Sequence, residues 1–286
     1  MLEQFEIAGG SIPGRDHVGR GGLLFGRNNQ DGHGWTNGPD YLVATVCDGC
    51  GGEPSSEFGA KAGVSIVPKA VIEELRLGEI ASHPERLDDD FWERVRTRSL
   101  DAIEQMALLL TAPGESATQK ALHHLTFTVL GTLITPQITA VFSVGDGLYA
   151  VNGEIYDLGP FPNNEPPYLI FGHIPSTRVE ERLTHFQVRT FPTQEVNSLL
   201  LSTDGGRDFV EAKDRPIPGQ SQAVGPLSQF WEVDLFFNNR DTVRRRLALV
   251  NSKVNRWDGK RLVTQGGSLR DDTTVVVIRR KAQKPS

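Results

Sequence analysis

Residues 41–52 read Tyr41-Leu42-Val43-Ala44-Thr45-Val46-Cys47-Asp48-Gly49-Cys50-Gly51-Gly52. The run before Cys47 is short, apolar and β-branched, which suits a buried strand. The glycines that follow force a sharp, exposed turn. A buried strand fixes its backbone, so an Asp at its tip is held rigidly. The next Gly turns the chain and leaves that carboxylate accessible. The pattern returns in Leu199-Leu200-Leu201-Ser202-Thr203-Asp204-Gly205. Asn29-Gln30-Asp31-Gly32 offers a carboxylate near the start, and Ser268-Leu269-Arg270-Asp271-Asp272 offers others just before the β-branched run at 273–278.

Outward from these tips the chain changes period. Residues 55–75 place Ala60, Val64, Val67, Val71 and Leu75 on one helical face, with Pro68 predicted to kink or split the helix. Asp88 is predicted to cap a second helix whose stripe runs from Trp92 and Val95 to Met106 and Leu110, and Thr111-Ala112-Pro113-Gly114 ends it. Residues 125–134 and 138–144 are strand-like, and residues 148–151 and 154–156 flank Asn152-Gly153, a two-residue hairpin turn. Val144-Gly145-Asp146-Gly147 has the look of the Asp-Gly tips, but it lies between two strands and is read as another hairpin turn. Residues 159–177 are rich in Pro and Asn and read as an exposed excursion, either a surface loop with no role or one whose exposed Phe161, Tyr168 and Phe171 contact another molecule. Asp241 is expected to cap a basic helix carrying Val243, Leu247, Val250 and Val254. The first forty residues read as an irregular entry around Leu23-Leu24-Phe25.

Helices therefore cluster between groups of strands instead of alternating with them. That order predicts an α+β fold of antiparallel sheets with helices packed outside, not a doubly wound parallel sheet. No internal repeat or linker divides the 286 residues, so residues 1–286 are expected to form one domain.

Composition narrows the class. A net charge of −6 argues against general affinity for nucleic acid or anionic membrane. No run of 18 or more apolar residues suggests a membrane span, and MLEQFEIAGGSIPGR does not read as a secretory signal. With only Cys47 and Cys50 there is no disulfide framework, and a cytoplasmic setting is expected. Cys47-Asp48-Gly49-Cys50 is also a Cys-x-x-Cys, but a thioredoxin-like redox site needs a βαβ setting and a zinc site needs four ligands at matched spacing.

Carboxylates that converge repel one another unless cations lie between them. Hard oxygen donors favour Mg²⁺ or Mn²⁺ over zinc. Two such ions can activate a water for in-line attack on phosphorus, with no covalent enzyme intermediate. Singly, each Asp-Gly pair also reads as a plain turn.

Taken in order, these segments resemble the protein phosphatase 2C (PPM) family over about residues 11–280. Asn29-Gln30-Asp31 is similar to the family's early Asn-Glu/Gln-Asp. Asp48-Gly49-Cys50-Gly51-Gly52 with Glu57 is similar to its Asp-Gly-x-Gly-Gly signature. Val144-Gly145-Asp146 resembles its Gly-Asp hairpin, Leu200-Leu201-Ser202-Thr203-Asp204-Gly205 its Leu-Leu-x-Thr-Asp-Gly strand, and Arg270-Asp271-Asp272-Thr273-Thr274-Val275 its terminal Asp-Asn-x-Thr/Ser-Val. The resemblance implies a four-layer αββα sandwich, two central antiparallel sheets flanked by helices, with a variable flap at about 159–195. It implies a bacterial-type metal-dependent phosphatase that removes phosphate from phosphoserine or phosphothreonine in proteins with two Mg or Mn ions. Its partners would be a phosphorylated protein and a cognate Ser/Thr kinase, and the chain is expected to act as a monomer.

The resemblance also assigns roles. Asp48 would bridge the two metals and the Gly49 carbonyl would complete one site. Asp204 and Asp271 would bind one ion, and Asp31 would hold its water. The family's phosphate-gripping Arg is replaced by Gly26, with Arg27 one step on. Gly14-Arg15-Asp16-His17 instead resembles a bacterial subgroup with Gly-x-x-His ahead of Gln-Asp, in which His17, helped by Arg15, Arg20 or Arg27, would meet the phosphate. Cys50 stands where relatives often carry Met or His, leaving protonation of the leaving group to water or His17. His123 falls where relatives place an Asp for a third, weaker metal. These departures keep open the alternative of an impaired phosphatase-like fold acting as a phosphopeptide-binding or adaptor module.

Overall fold

Side chains alternate along the strands into two sets that point opposite ways, and this alternation builds the layers. In Leu42–Gly49 (β3), Leu42, Ala44 and Val46 join one buried cluster while Val43 and Cys47 join another. In Thr273–Arg280 (β12), Val276 and Ile278 face the first of these clusters while Val275 and Val277 face a third. The structure, a computed structural model, describes residues 4–18, 26–53, 55–80, 82–174 and 179–281; Leu23-Leu24-Phe25 and Arg20 lie outside them.

In chain order the remaining elements are β1 (Phe5–Ile12), α1 (Arg15–Val18), β2 (Asp31–Asn37), α2 (Ser56–Leu77), α3 (Asp89–Leu110), α4 (Ala117–His124), β4 (Phe127–Ile134), β5 (Ile138–Val144), β6 (Leu148–Val151), β7 (Glu154–Asp157), β8 (Gln187–Pro192), β9 (Ser198–Ser202), α5 (Gly206–Glu211), α6 (Gln229–Glu232), α7 (Leu235–Asn238), α8 (Thr242–Val250), β10 (Val254–Trp257) and β11 (Leu262–Gln265). One antiparallel sheet runs β1-β12-β9-β6-β7 and the other β2-β3-β4-β5-β8, while β10 and β11 form a separate hairpin. Leu130, Ile134, Val141, Tyr149, Leu199, Leu201, Val276 and Ile278 fill the space between the sheets. Helices α2 and α3 cover the outer face of the second sheet through Val67, Val71, Val95 and Ile103. Helices α5 to α8 cover the first sheet through Phe209, Phe230, Phe236, Val243 and Leu247. The expected αββα sandwich is therefore the observed one.

Asp88 accepts from the Phe91 N–H at 2.9 Å and caps α3 as expected. Several other expectations differ. Helix α2 runs unbroken through Pro68, which is itself buried; core packing at Val67, Ala70 and Val71 on both sides of the ring outweighs the lost hydrogen bond. Asp241 does not cap α8 through its side chain, because its carboxylate pairs with Arg244 and Arg245 at 2.6 and 2.7 Å. Val254 leaves that helix and opens β10. The entry is not irregular throughout, since β1 occupies residues 5–12. Its Gly9-Gly10 weakens the strand signal but is needed there: a Cβ on Gly10 would strike the backbone of Arg244 in α8. Gly145-Asp146-Gly147 is no hairpin, because β5 and β6 belong to different sheets and the chain crosses between them at this point. The excursion is not fully exposed either. Leu169 and Ile170 are buried in the core under α3, and they pull Tyr168 and Phe171 inward with them.

Gly59 lets α2 lie flat on the entry to β4. A Cβ there would stand 2.5 Å from the His124 carbonyl oxygen and 2.7 Å from the Leu125 Cα. Gly59→Ala should therefore destabilise the fold by about 1–3 kcal/mol, the usual cost of overpacking. Calorimetry would register this as a lower Tm, and an unchanged Tm would mean that the helix is free to shift.

Candidate active site

Strand ends bring the acids together. Asp31 opens β2 and is the ladder partner of Asp48, next to last in β3. Asp204 follows β9 by two residues, and Asp271 and Asp272 directly precede β12. Asp48, Gly49, Asp204, Asp271 and Asp272 line one cleft of about 750 Å³, together with Asp16, Glu53, Asp146 and Glu165. Asp31 is buried beside Asp48. The cleft thus joins acids from both sheets. Tyr168 and Phe171 form part of its wall, and Arg270 is the one basic lining residue among the described residues.

The electrostatic cost is visible in Asp31, Asp48, Asp146, Asp204, Asp271 and Asp272. Burial holds Asp48 well above the usual carboxylate range, and Asp31, Asp204, Asp271 and Asp146 push it further. Asp31 is raised by burial and then by Asp272, against a 2.7 Å hydrogen bond from the Thr203 hydroxyl. Asp204 is pushed up to about 7 by burial, then Asp146 and Asp271, with Arg207 pulling the other way. Asp272 reaches about 6 through burial, although the Gln30 and Gly14 N–H groups donate to it at 2.6 and 2.7 Å. Asp146 and Asp271 are also raised, chiefly by burial. Oδ1 of Asp31 and Oδ1 of Asp204 are buried with no hydrogen-bond partner. Buried acceptors are rarely left so. Orphaned carboxylate oxygens in an acid cluster fit a hard divalent cation, and Asp48, Gly49, Asp204 and Asp271 all border the cleft.

The phosphate and third-metal candidates from the sequence, Arg15, His17, Arg27 and His123, lie outside the cleft lining. Arg15 donates to the Gly267 carbonyl at 2.9 Å. Arg27 donates to the carbonyls of Gly51 and Glu53, which ties it to the loop after β3. His123 is half-exposed on α4 and pairs with Glu53 at 2.7 Å, at the rim. His17 is buried against Asp271 and Asp272. Cys47 faces the helix-side core and Cys50 the cleft, and both are free thiols. Burial and then Asp31 push the Cys47 thiol up, which leaves it unreactive.

Sequence reasoning missed Asp146, Asp272, Arg270 and Arg207 as site residues. Asp146 is 5% exposed, with the Arg207 guanidinium 3.7 Å from it and 3.8 Å from Asp204. The available signal was the pair of glycines around Asp146, which adopt φ of 105° and 122°. No helix among the described residues is long and apolar enough to cross a membrane.

A family model described as protein phosphatase 2C matches residues 18–242. Among solved structures the chain is similar to a bacterial serine phosphatase at 14% identity and a TM-score of 0.53, covering 98% of this chain and 100% of that one. It is also similar to serine-threonine phosphatase 2C from Toxoplasma gondii at 15% identity and a TM-score of 0.53, covering 97% and 95%. No curated protein matches the sequence.

The raised carboxyls carry a sign for stability. Between pH 3.8 and about 7 the folded chain keeps a proton on Asp204 that the unfolded chain gives up, so stability falls as pH rises through that interval. EDTA-treated protein should melt at a higher temperature at pH 5 than at pH 7, and Mn²⁺ added at pH 7 should raise Tm. A metal-free chain equally stable at both pH values would contradict this electrostatic account.

Proposed function

The chain belongs to the protein phosphatase 2C family, the serine/threonine protein phosphatases, and from that membership we propose that it hydrolyses phosphoserine and phosphothreonine in proteins at a two-cation centre beside Asp48. The observation that carries this reading is the balance of charge in the cleft: eight carboxylate side chains against Arg270. A phosphate dianion approaching bare carboxylates would be repelled, so the cleft suits its substrate only with cations bound. Bound there, a pair of Mg²⁺ or Mn²⁺ ions supplies polarisation of the phosphoryl oxygens and activation of the attacking water.

The chain's own residues do the rest. Asp48, at a strand tip, faces the cleft where acids from both sheets meet, which suits a carboxylate shared by two ions. Asp204 and Asp271 would hold one ion, and the Gly49 carbonyl would complete the other site. Asp31 is fixed by the Thr203 hydroxyl through one oxygen and keeps the other to orient water. Arg270 stands next to Asp271 and lines the cleft, which makes it the cation for the substrate phosphate in place of Arg15, Arg27 or His17. Tyr168 and Phe171 give the substrate an apolar wall. In this reading residues 1–286 work as one domain on a phosphorylated protein whose Ser/Thr kinase is the opposing partner.

The test is hydrolysis of p-nitrophenyl phosphate and of a phosphothreonine peptide with Mn²⁺. EDTA should abolish both. Asp48→Asn and Asp204→Asn should lower kcat by about 100-fold or more, and each should raise the Tm of the metal-free chain by removing a repelled charge. Arg270→Ala should raise KM more than it lowers kcat. Full turnover in EDTA would sink the reading.

A further inference from the structure

His17 is the buried imidazole at the edge of the acid cluster, 2% exposed on the short α1. Its Nδ1 lies 3.1 Å from Asp272 Oδ1 and 3.3 Å from the Asn28 carbonyl oxygen. Both neighbours are acceptors, so the network assigns a ring hydrogen to Nδ1; in the neutral ring the lone pair is then on Nε2. Nε2 is buried with no hydrogen-bond partner, and it points toward Asp271 Oδ1 at 3.7 Å. That separation is too long for a hydrogen bond.

Two donors to one cation, each with a bond of about 2.0–2.2 Å, stand about 3–4 Å apart, and the Nε2 to Asp271 distance falls in that range. Among the described residues, His17, Asp271 and Asp272 are the one group of three metal-capable side chains whose ligand atoms all lie within 4.8 Å of one another. The support is also built. Asp272 is locked by the Gly14 and Gln30 N–H groups and in turn holds Nδ1. A carboxylate on the far nitrogen of a ligating histidine fixes the tautomer and strengthens the donor.

We propose that His17 Nε2 is a nitrogen ligand of the cation held by Asp271, with Asp272 as the residue that positions the ring. The proposal rests on the metal-centre reading above and gives its ions a chemical preference. An imidazole donor favours first-row transition ions over Mg²⁺, which takes oxygen donors and water. The ion at Asp271 is therefore Mn²⁺ or another transition ion in preference to Mg²⁺. His17 belongs to the metal, and contact with the substrate phosphate falls to other residues.

The experiment is direct and needs no turnover. EDTA-stripped full-length chain is titrated calorimetrically with Mn²⁺ and separately with Mg²⁺, and the Mn²⁺-loaded protein is studied by electron spin-echo envelope modulation. Wild type should bind Mn²⁺ and show imidazole ¹⁴N modulation, which is replaced by a ¹⁵N pattern when the chain is labelled with ¹⁵N-histidine. His17→Gln should lose the nitrogen modulation and weaken one Mn²⁺ site by about 10–100-fold, while Mg²⁺ affinity changes far less. The labelling result stands on wild type alone, whether or not the variant folds. Mn²⁺ binding that needs Asp48 but shows no histidine nitrogen would overturn the proposal and leave the metal centre intact. So would nitrogen modulation that survives in His17→Gln. A wild-type chain that binds no Mn²⁺ would overturn both.

Discussion

Like charges gathered out of water repel, and here the chain brings Asp31 and Asp48 on one sheet against Asp204, Asp271 and Asp272 on the other. Each is held above its ordinary range mainly by burial and then by its neighbours. The fold tolerates this because the acids sit at strand tips whose backbones are fixed by ladders filled with Val, Leu and Ile. Partial relief comes from fixed dipoles and one cation: the Thr203 hydroxyl on Asp31, two backbone N–H groups on Asp272, and Arg207 near Asp146 and Asp204. The relief is incomplete, as the orphaned oxygens of Asp31 and Asp204 record. An unfavourable charge arrangement held in place by favourable packing is what a cation-dependent site requires.

The strands supplying these tips were legible because their signal is local. An apolar run stopped by Asp-Gly can be read from the few residues around Asp48 or Asp204, and α3 announces itself through Asp88 and its apolar stripe. The layer order followed from the grouping of strands and helices. What escaped was what depends on distant partners. The residues around Asp146 look the same whether β5 and β6 pair with each other or lie in different sheets. Gly9-Gly10 hides β1 until α8 is known to lie against it. The eight-residue α4 is too short for its stripe to stand out, even though Ser116 caps it. Pro68 weakens a helix only when the rest of the helix has nowhere to pack.

The phosphate-contact candidates illustrate the same boundary at the level of side chains. Arg15 and Arg27 are close in sequence to Asp31, yet loop carbonyls take up their guanidinium groups. Arg270 reaches the cleft because it immediately precedes Asp271, at the mouth of a strand from the opposite end of the chain. Proximity in sequence to Asp31 does not by itself carry a side chain to the cleft lining.

The passage of the chain from one sheet to the other at Gly145-Asp146-Gly147 has a mechanical side. Because the acids are divided between the two sheets, any ligand that grips both groups also clamps the sandwich across its interlayer. Sliding one sheet over the other would spread the carboxylates apart, so a ligand held by both groups resists that shear.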